Sequence, residues 1–348
     1  MSFSVVIPTC NMEAYLPTLV QSLADSGLLK VAAEIIIVDD GSTDGTAARL
    51  AELKNGLPAS EREKFRPLIL PKNMGRFFAR LEGARAANAD NILFLDTRVT
   101  PARDFAEALD RVSKEHPSVV GSVDIDTTRS VFCLYWDRSH KAIFRKHFKD
   151  AVRPIVLTEH NYDDYLKGTG VFLCPRKLFI DACVEFEHQD LLSDDTFLMK
   201  RIVEQIPITI HPEVRVGWVP RETYREFVWR IWDRGPQFVE YHVFEKRGLF
   251  FFATIAGLAA AAGTCVLLIV APPVGLGVLA AGTLAVAAST ALMAKSPGEF
   301  LRLAPLHVGV AAAFGAGAVR GIIVNTGRKL GGQKTQGLLR RLSLRPST

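Results

Sequence analysis

The chain has 348 residues and a formal net charge of +5, long enough for one sizeable folded body plus an appendage. The charge is uneven: residues 1–248 hold 33 of the 42 basic and 36 of the 37 acidic residues, whereas residues 326–348 hold six basic and no acidic ones. The surplus belongs to a tail, which argues against a nucleic-acid-binding body and fits an anionic membrane surface.

Met1 to Pro8 reads directly into a strand, with no basic n-region and no cleavage site, so no secretory leader is expected and the folded body should stay cytoplasmic. Phe3–Pro8, Glu34–Asp39, Pro67–Leu70 and Asn91–Leu95 are short Val/Ile-rich runs that predict buried strands. Glu13–Ser26, Thr43–Lys54 and Arg76–Ala89 between them have helical spacing. This alternation predicts βαβ units in a mostly parallel sheet, whose ligands bind at the carboxyl ends of the strands. The polar clusters Thr9-Cys10-Asn11, Asp39-Asp40-Gly41-Ser42, Asn73-Met74-Gly75-Arg76 and Asp96-Thr97-Arg98 all fall at those ends.

Beyond residue 100 the pattern predicts a helix over Pro101–Glu115, strands at Val119–Val123, Arg129–Trp136 and Val171–Cys174, and a helix from Arg176. Ser193–Glu204 is predicted helical, with Ser193 as its cap and Asp194 and Asp195 in a first turn that favours negative charge. Glu222–Trp232 reads as an amphipathic, aromatic helix. His160, His188 and His211 have no ligand spacing and are expected at the surface. The five cysteines show no paired spacing and are expected as reduced thiols.

At Gly248 the composition changes. Leu249–Ala271 and Val274–Ala294 are uncharged and apolar, broken by Pro272-Pro273, and predict a transmembrane hairpin over 249–294. Residues 237–248 would be an amphipathic juxtamembrane link. The apolar stretch 303–325 carries His307 and Arg320; an interfacial placement keeps the basic tail 326–348 cytoplasmic, whereas a third span would put it on the far side.

Two segments carry the most specific signal. Val5-Val6-Ile7-Pro8-Thr9-Cys10-Asn11, followed by Ile37-Val38-Asp39-Asp40-Gly41-Ser42-Thr43-Asp44-Gly45-Thr46, closely resembles family 2 of the inverting glycosyltransferases. The resemblance continues through Asn73-x-Gly75-Arg76-x-x-Ala79-Arg80 and Leu95-Asp96-Thr97-Arg98, and covers roughly residues 3–236. It implies an α/β, GT-A-like, mostly parallel sheet flanked by helices, followed by the C-terminal transmembrane hairpin. It also implies a nucleotide-sugar donor pocket lined by Pro8, Thr9, Asn11, Asp39, Asp40, Asn73, Arg76, Asp96 and Arg98.

One position departs from the family. Where it has Asp-x-Asp, whose final Asp helps hold a divalent cation (Mg or Mn) on the diphosphate, this chain has Arg98. Either metal binding survives through Asp96, or the Arg98 guanidinium takes over part of the charge neutralisation. Asp124-x-Asp126 has the same spacing but reads as a surface turn. By the same resemblance Asp195, beside Asp194, occupies the position of the base that deprotonates an acceptor hydroxyl. Trp229, Arg230 and Arg234 match a late helix bordering the acceptor, where they would contact a sugar or a phosphate.

The expected activity is inverting transfer of a sugar from a nucleotide-diphosphate donor to a hydroxyl of a lipid or lipid-linked glycan, by a multi-pass protein of the cell membrane. A polyprenyl-phosphate acceptor, which needs no base, is the alternative. A catalytically inactive, sugar-nucleotide-binding membrane scaffold is the alternative from another class.

Overall fold

The computed structural model describes residues 1–187, 194–246 and 248–330. The expected cap Ser193, His188 and the tail beyond residue 330 lie outside the described residues. Nine strands are present: β1 (Phe3–Thr9), β2 (Glu34–Asp39), β3 (Phe65–Ile69), β4 (Asn91–Leu95), β5 (Val99–Pro101), β6 (Val119–Asp124), β7 (Ile155–Leu157), β8 (Val171–Pro175) and β9 (Ile208–Trp218). The principal helices are α1 (Leu16–Asp25), α2 (Thr46–Gly56), α3 (Arg76–Ala86), α4 (Phe105–Ser113), α5 (Val131–Ile143), α6 (Arg176–Val184), α7 (Asp194–Val203), α8 (Tyr224–Val239), α9 (Leu249–Val270), α10 (Pro272–Ser289) and α11 (Pro297–Leu330).

The chain divides into two compact units, one of residues 1–126 and 143–220, the other of residues 127–142 and 221–348. The first is built on one mixed sheet in the order β3-β2-β1-β4-β8-β6-β9-β5, with β7 paired to β9. Strands β3, β2, β1 and β4 are mutually parallel, β8 runs antiparallel between β4 and β6, and β6 is parallel to β9. The βαβ part follows the predicted pattern.

Alternation explains why both faces are buried. Val6, Ile36, Val38, Ile92 and Phe94 pack with Ala79, Leu81 and Ala84 of α3. The intervening Val5, Ile7, Ile35, Ile37, Leu93 and Leu95 pack with Leu16, Leu19, Val20 and Leu23 of α1. Helix α3 sits so close to β1 that a Cβ on Gly83 would lie 2.4 Å from Val6.

Two expectations are corrected. Residues 129–136, predicted as a strand, enter helix α5, because the run Val131–Trp136 is apolar at every position and carries no period that separates strand from helix. Residues 208–218 form the longest strand although Pro212 interrupts the pattern. His211 is buried on that strand rather than at the surface.

In the second unit α8 and α11 run side by side in the same direction. Trp232 meets Gly317, Pro236 meets Gly321, and Glu240 pairs with Arg328 at 3.4 Å. A Cβ on Gly235 would lie 2.2 Å from the Gly317 carbonyl carbon, so only glycines permit this approach. Helices α9 and α10 form a tight antiparallel pair, with Gly275 against the Leu268 backbone. Three helices, α9, the Pro272–Leu292 stretch and α11, are long and apolar enough to cross a membrane.

The α9–α10 pair reaches α11 directly at one place and through α8 at another. Ser289 at the end of α10 contacts His307 at 3.1 Å, whereas the ring of Phe250 at the start of α9 packs on Phe238, which packs on Phe314. Positions 307 and 314 are about 10 Å apart along α11. His307 also accepts or donates a 2.8 Å hydrogen bond with Tyr135 of α5, and Arg138 of α5 is bonded through both Nε and Nη2 to Glu299 of α11.

Candidate active site

The carboxyl ends of β1 and β2 are in register, Thr9 beside Asp39, and the Asp40 amide donates to the Thr9 carbonyl. Their loops are stitched together by side chains. Asn11 adopts a left-handed φ of 52° and accepts from the Thr43 amide at 2.8 Å, while its own amide donates to the Ser42 hydroxyl. Asp39, fully buried, accepts from the amide and hydroxyl of Ser42. Asp40 accepts from the amides of Met74 (2.7 Å) and Gly75 (2.9 Å), which fastens the β3–α3 loop to the β2 end. Gly41 makes this possible: at φ 61° its Cα lies against the Lys72–Asn73 peptide, and a Cβ would be 2.3 Å from the Lys72 carbonyl carbon.

The same loop tunes Asp44. Partial burial alone would raise its carboxyl, but hydrogen bonds from the Thr46 side chain and amide and from the Glu13 amide outweigh it and hold the group below the usual range. Asn73 donates to the Cys10 sulfur, and Thr97 donates to the Pro8 carbonyl at 3.0 Å. The Thr9 hydroxyl is buried without a hydrogen-bond partner among the described residues.

The centre of the site is a residue absent from the predicted site set. Arg80, in α3, is buried to 1% exposure, and its guanidinium spans two carboxylates: Nη2 donates to Asp96 at 3.0 Å and Nη1 to Asp195 at 2.8 Å. Asp195 also accepts from the buried Thr169 hydroxyl at 2.7 Å, and Arg76 lies 3.9 Å from its other oxygen. Gly170 is pressed against Asp96, where a Cβ would lie 3.1 Å from its Oδ2. The structure thus joins the expected donor-side carboxylate and the expected base through one cation. Asp194 opens α7, and its side chain lies outside the described part.

Arg98 is held by protein groups. Its Nε donates to the Val219 carbonyl at 2.8 Å, its Nη2 to the Pro220 carbonyl, and its guanidinium stacks 4.4 Å from the Tyr15 ring centroid. It fastens the segment that follows β9. For a cation on a diphosphate, one or two carboxylates suffice when phosphates and water complete the shell, and Asp96 fits that part. No group of three or more His, Cys, Asp or Glu among the described residues forms a cage by itself. Asp124 and Asp126 are exposed at and after the end of β6, as expected.

Trp229, Arg230 and Arg234 lie in the second unit, on α8. Arg230 pairs with Asp233 at 3.6 Å, Arg234 stacks on Trp136 with its guanidinium carbon 4.4 Å from the ring centroid, and Trp229 is partly exposed.

The model of the family "Glycosyl transferase family 2" matches residues 4–161. Residues 4–161 are thus the part that matches a family 2 glycosyl transferase domain. The matched residues include the β1, β2 and β4 ends, Arg80 and Asp96, but stop short of Thr169 and Asp195. Curated relatives named undecaprenyl-phosphate 4-deoxy-4-formamido-L-arabinose transferase, from Yersinia pestis and Yersinia pseudotuberculosis, are 33% identical over 130 residues. That match covers 37% of this chain and 38% of the length of those relatives. Among solved structures, the mannosyltransferase PcManGT of Pyrobaculum calidifontis, in complex with GDP-Man and Mn2+, superposes with a TM-score of 0.53 at 20% identity, over 92% of this chain and 86% of that one. The likeness establishes the expected GT-A-like fold.

Proposed function

We infer that this protein transfers a sugar from a nucleotide-diphosphate donor to the phosphate of a polyprenyl-type lipid at the cytoplasmic membrane surface. The observation that carries this reading is the state of Asp195. One of its oxygens already accepts from Arg80 and Thr169, with Arg76 near the other. A proton taken from an acceptor hydroxyl would have to be held between Arg80 and Arg76, whereas a lipid phosphate arrives ionised and has no proton to surrender. The names of the undecaprenyl-phosphate transferase relatives support the same acceptor. The order of preference between hydroxyl and phosphate acceptors is therefore the reverse of the one drawn from sequence.

In the proposed reaction a phosphate oxygen attacks the anomeric carbon from the side opposite the diphosphate. The bond between that carbon and the diphosphate oxygen breaks, the electron pair leaves with the nucleoside diphosphate, and the anomeric configuration inverts. Arg80 holds Asp96 and Asp195 in fixed positions, and the Asp39–Asn11–Asp40 loops frame the donor. A divalent cation held by Asp96 and the diphosphate would neutralise charge on the leaving group.

The membrane part of the reading rests on α9 and α10, whose apolar surface is left almost wholly uncovered by protein. Helix α11, which meets the foot of α10 at Ser289 and is bonded to the charged helix α5, suits the interfacial placement better than a third span.

The test is release of nucleoside diphosphate by detergent-purified full-length protein given candidate donors and either undecaprenyl phosphate or undecaprenol. Release dependent on the phosphate is expected. Equal turnover with the alcohol overturns the acceptor assignment, and donor binding without turnover on either acceptor supports the inactive-scaffold reading. Loss of activity with EDTA, restored by Mn2+, is expected if Asp96 holds a cation.

A further inference from the structure

Arginines of the second unit are mostly matched by carboxylates. Arg129 pairs with Glu222 at 2.9 Å, Arg138 with Glu299 at 2.7 Å, Arg230 with Asp233 at 3.6 Å and Arg328 with Glu240 at 3.4 Å. Arg320 of α11 is not so matched, and unlike Arg302 it is partly buried. Its Nε and Nη1 are buried with no hydrogen-bond partner among the described residues, and its neighbour Asp233 pairs with Arg230. The contact its guanidinium does make is with the Trp232 ring, 5.8 Å from the centroid.

The surroundings explain what such a side chain could serve. Val319 and Ile323, 46% and 52% exposed, form an outward apolar stripe immediately beside Arg320. The helix is held rigidly against α8 by the Gly317 and Gly321 contacts, so Arg320 cannot retreat by rotation of the helix. A guanidinium keeps its charge at any accessible pH, and a charge in an apolar, lipid-facing helix is costly unless an anion meets it. At that boundary the available anions are phosphates of lipids. Guanidinium groups bind phosphate in a directed, charge-assisted way, and a tryptophan is at home where an apolar phase meets a polar one.

We propose that Arg320, backed by the Trp232 ring, seats the phosphate group of a lipid beside α11 through Nη2, the guanidinium nitrogen outside the buried, unpartnered pair. The seat is argued from the second unit alone; its assignment to the acceptor lipid rests on the transfer reaction proposed above. An anionic phospholipid of the bulk membrane presents the same chemistry, and the experiment separates the two.

Full-length protein and its Arg320→Gln, Arg320→Lys and Arg320→Met variants are titrated in detergent with undecaprenyl phosphate, undecaprenol and phosphatidylglycerol, read by native mass spectrometry. Arg320→Gln is expected to weaken undecaprenyl phosphate about tenfold, the scale of one charge-assisted contact, with undecaprenol unchanged and Arg320→Lys recovering part of the loss. The KM for undecaprenyl phosphate rises correspondingly, with kcat and the donor KM preserved. A loss confined to phosphatidylglycerol supports the seat and assigns it to the bulk phospholipid. Unchanged affinity for both phosphates overturns the proposal. Arg320→Met should not lower the Tm of lipid-free protein, because it removes donors that have no partner; a large drop assigns Arg320 a structural role and also overturns the proposal. If no acceptor is turned over, the transfer reading fails while the binding titration still decides the seat.

Discussion

Arg80 connects two carboxylates that the chain separates by 16 and 115 residues. Arg80→Ala takes the shared cation from both, although Asp195 keeps the Thr169 hydroxyl. Breaking a fully buried pair costs about 3–5 kcal/mol; Asp96 and Asp195 keep 40% and 28% side-chain exposure, so the loss is expected nearer about 2 kcal/mol by urea denaturation. Turnover should fall by two orders of magnitude or more, and Arg80→Lys, which keeps a charge but not the fork, should restore stability better than rate. Gly41 and Gly75 give a second test. Both have positive φ, 61° and 95°, but a Cβ at Gly41 collides with backbone whereas at Gly75 it meets nothing within 4 Å. Gly75→Ala should therefore cost about 1–2 kcal/mol of strain, and Gly41→Ala clearly more, measured as urea midpoints. The motif residues were legible because local loops impose them. The role of Arg98 was not: its partners, the carbonyls of Val219 and Pro220, lie 121 and 122 residues away, and no local pattern encodes them. Thr169 was equally hidden, in a stretch with no apolar period.

At the scale of elements, the first four parallel strands were legible because each alternates between two covered faces and is followed by a polar cluster. The strand over 208–218 was not, since Pro212 breaks the pattern while the β6 partner shifts register between Gly121 and Ser122. Helix α5 was mistaken for a strand because its apolar run has no polar face to set a period; its neighbours Phe227 and His307 become visible only once α8 and α11 pack on it. One carboxylate binds several elements together. Glu34, at the start of β2, accepts from Ser4 of β1, the Asn88 amide and Arg66 of β3. Burial alone would raise its carboxyl, but these donors together hold it below its ordinary value of 4.5. Its folded-state pKa is depressed, so its contribution is complete above pH 4.5 and is lost as pH falls below that value. The urea midpoint should decline on acidification through that window, and Glu34→Gln should be less stable at neutral pH but show a flatter acid limb. An equally steep acid limb in Glu34→Gln would assign the decline to other carboxylates.

For the whole molecule, length and apolarity single out three helices able to cross a membrane; the proposed interfacial placement of α11 rests on where that helix touches. If α11 lies in the interface, an accessibility reporter after residue 345 and one at Met1 should label from the same side of the membrane, and one at the Pro272-Pro273 turn from the other. A tail reporter that labels with the turn instead would establish a third span. The thread Tyr135–His307–Ser289 adds a geometric rule. Each residue inserted into a helix turns everything beyond it by about 100°, so lengthening α10 by one residue would swing Ser289 off His307. Seven residues restore the heading to within about 20°. The hairpin could thus be refitted to a thicker bilayer only in near-whole turns, a quantised length in a part of the protein where composition alone looks freely adjustable.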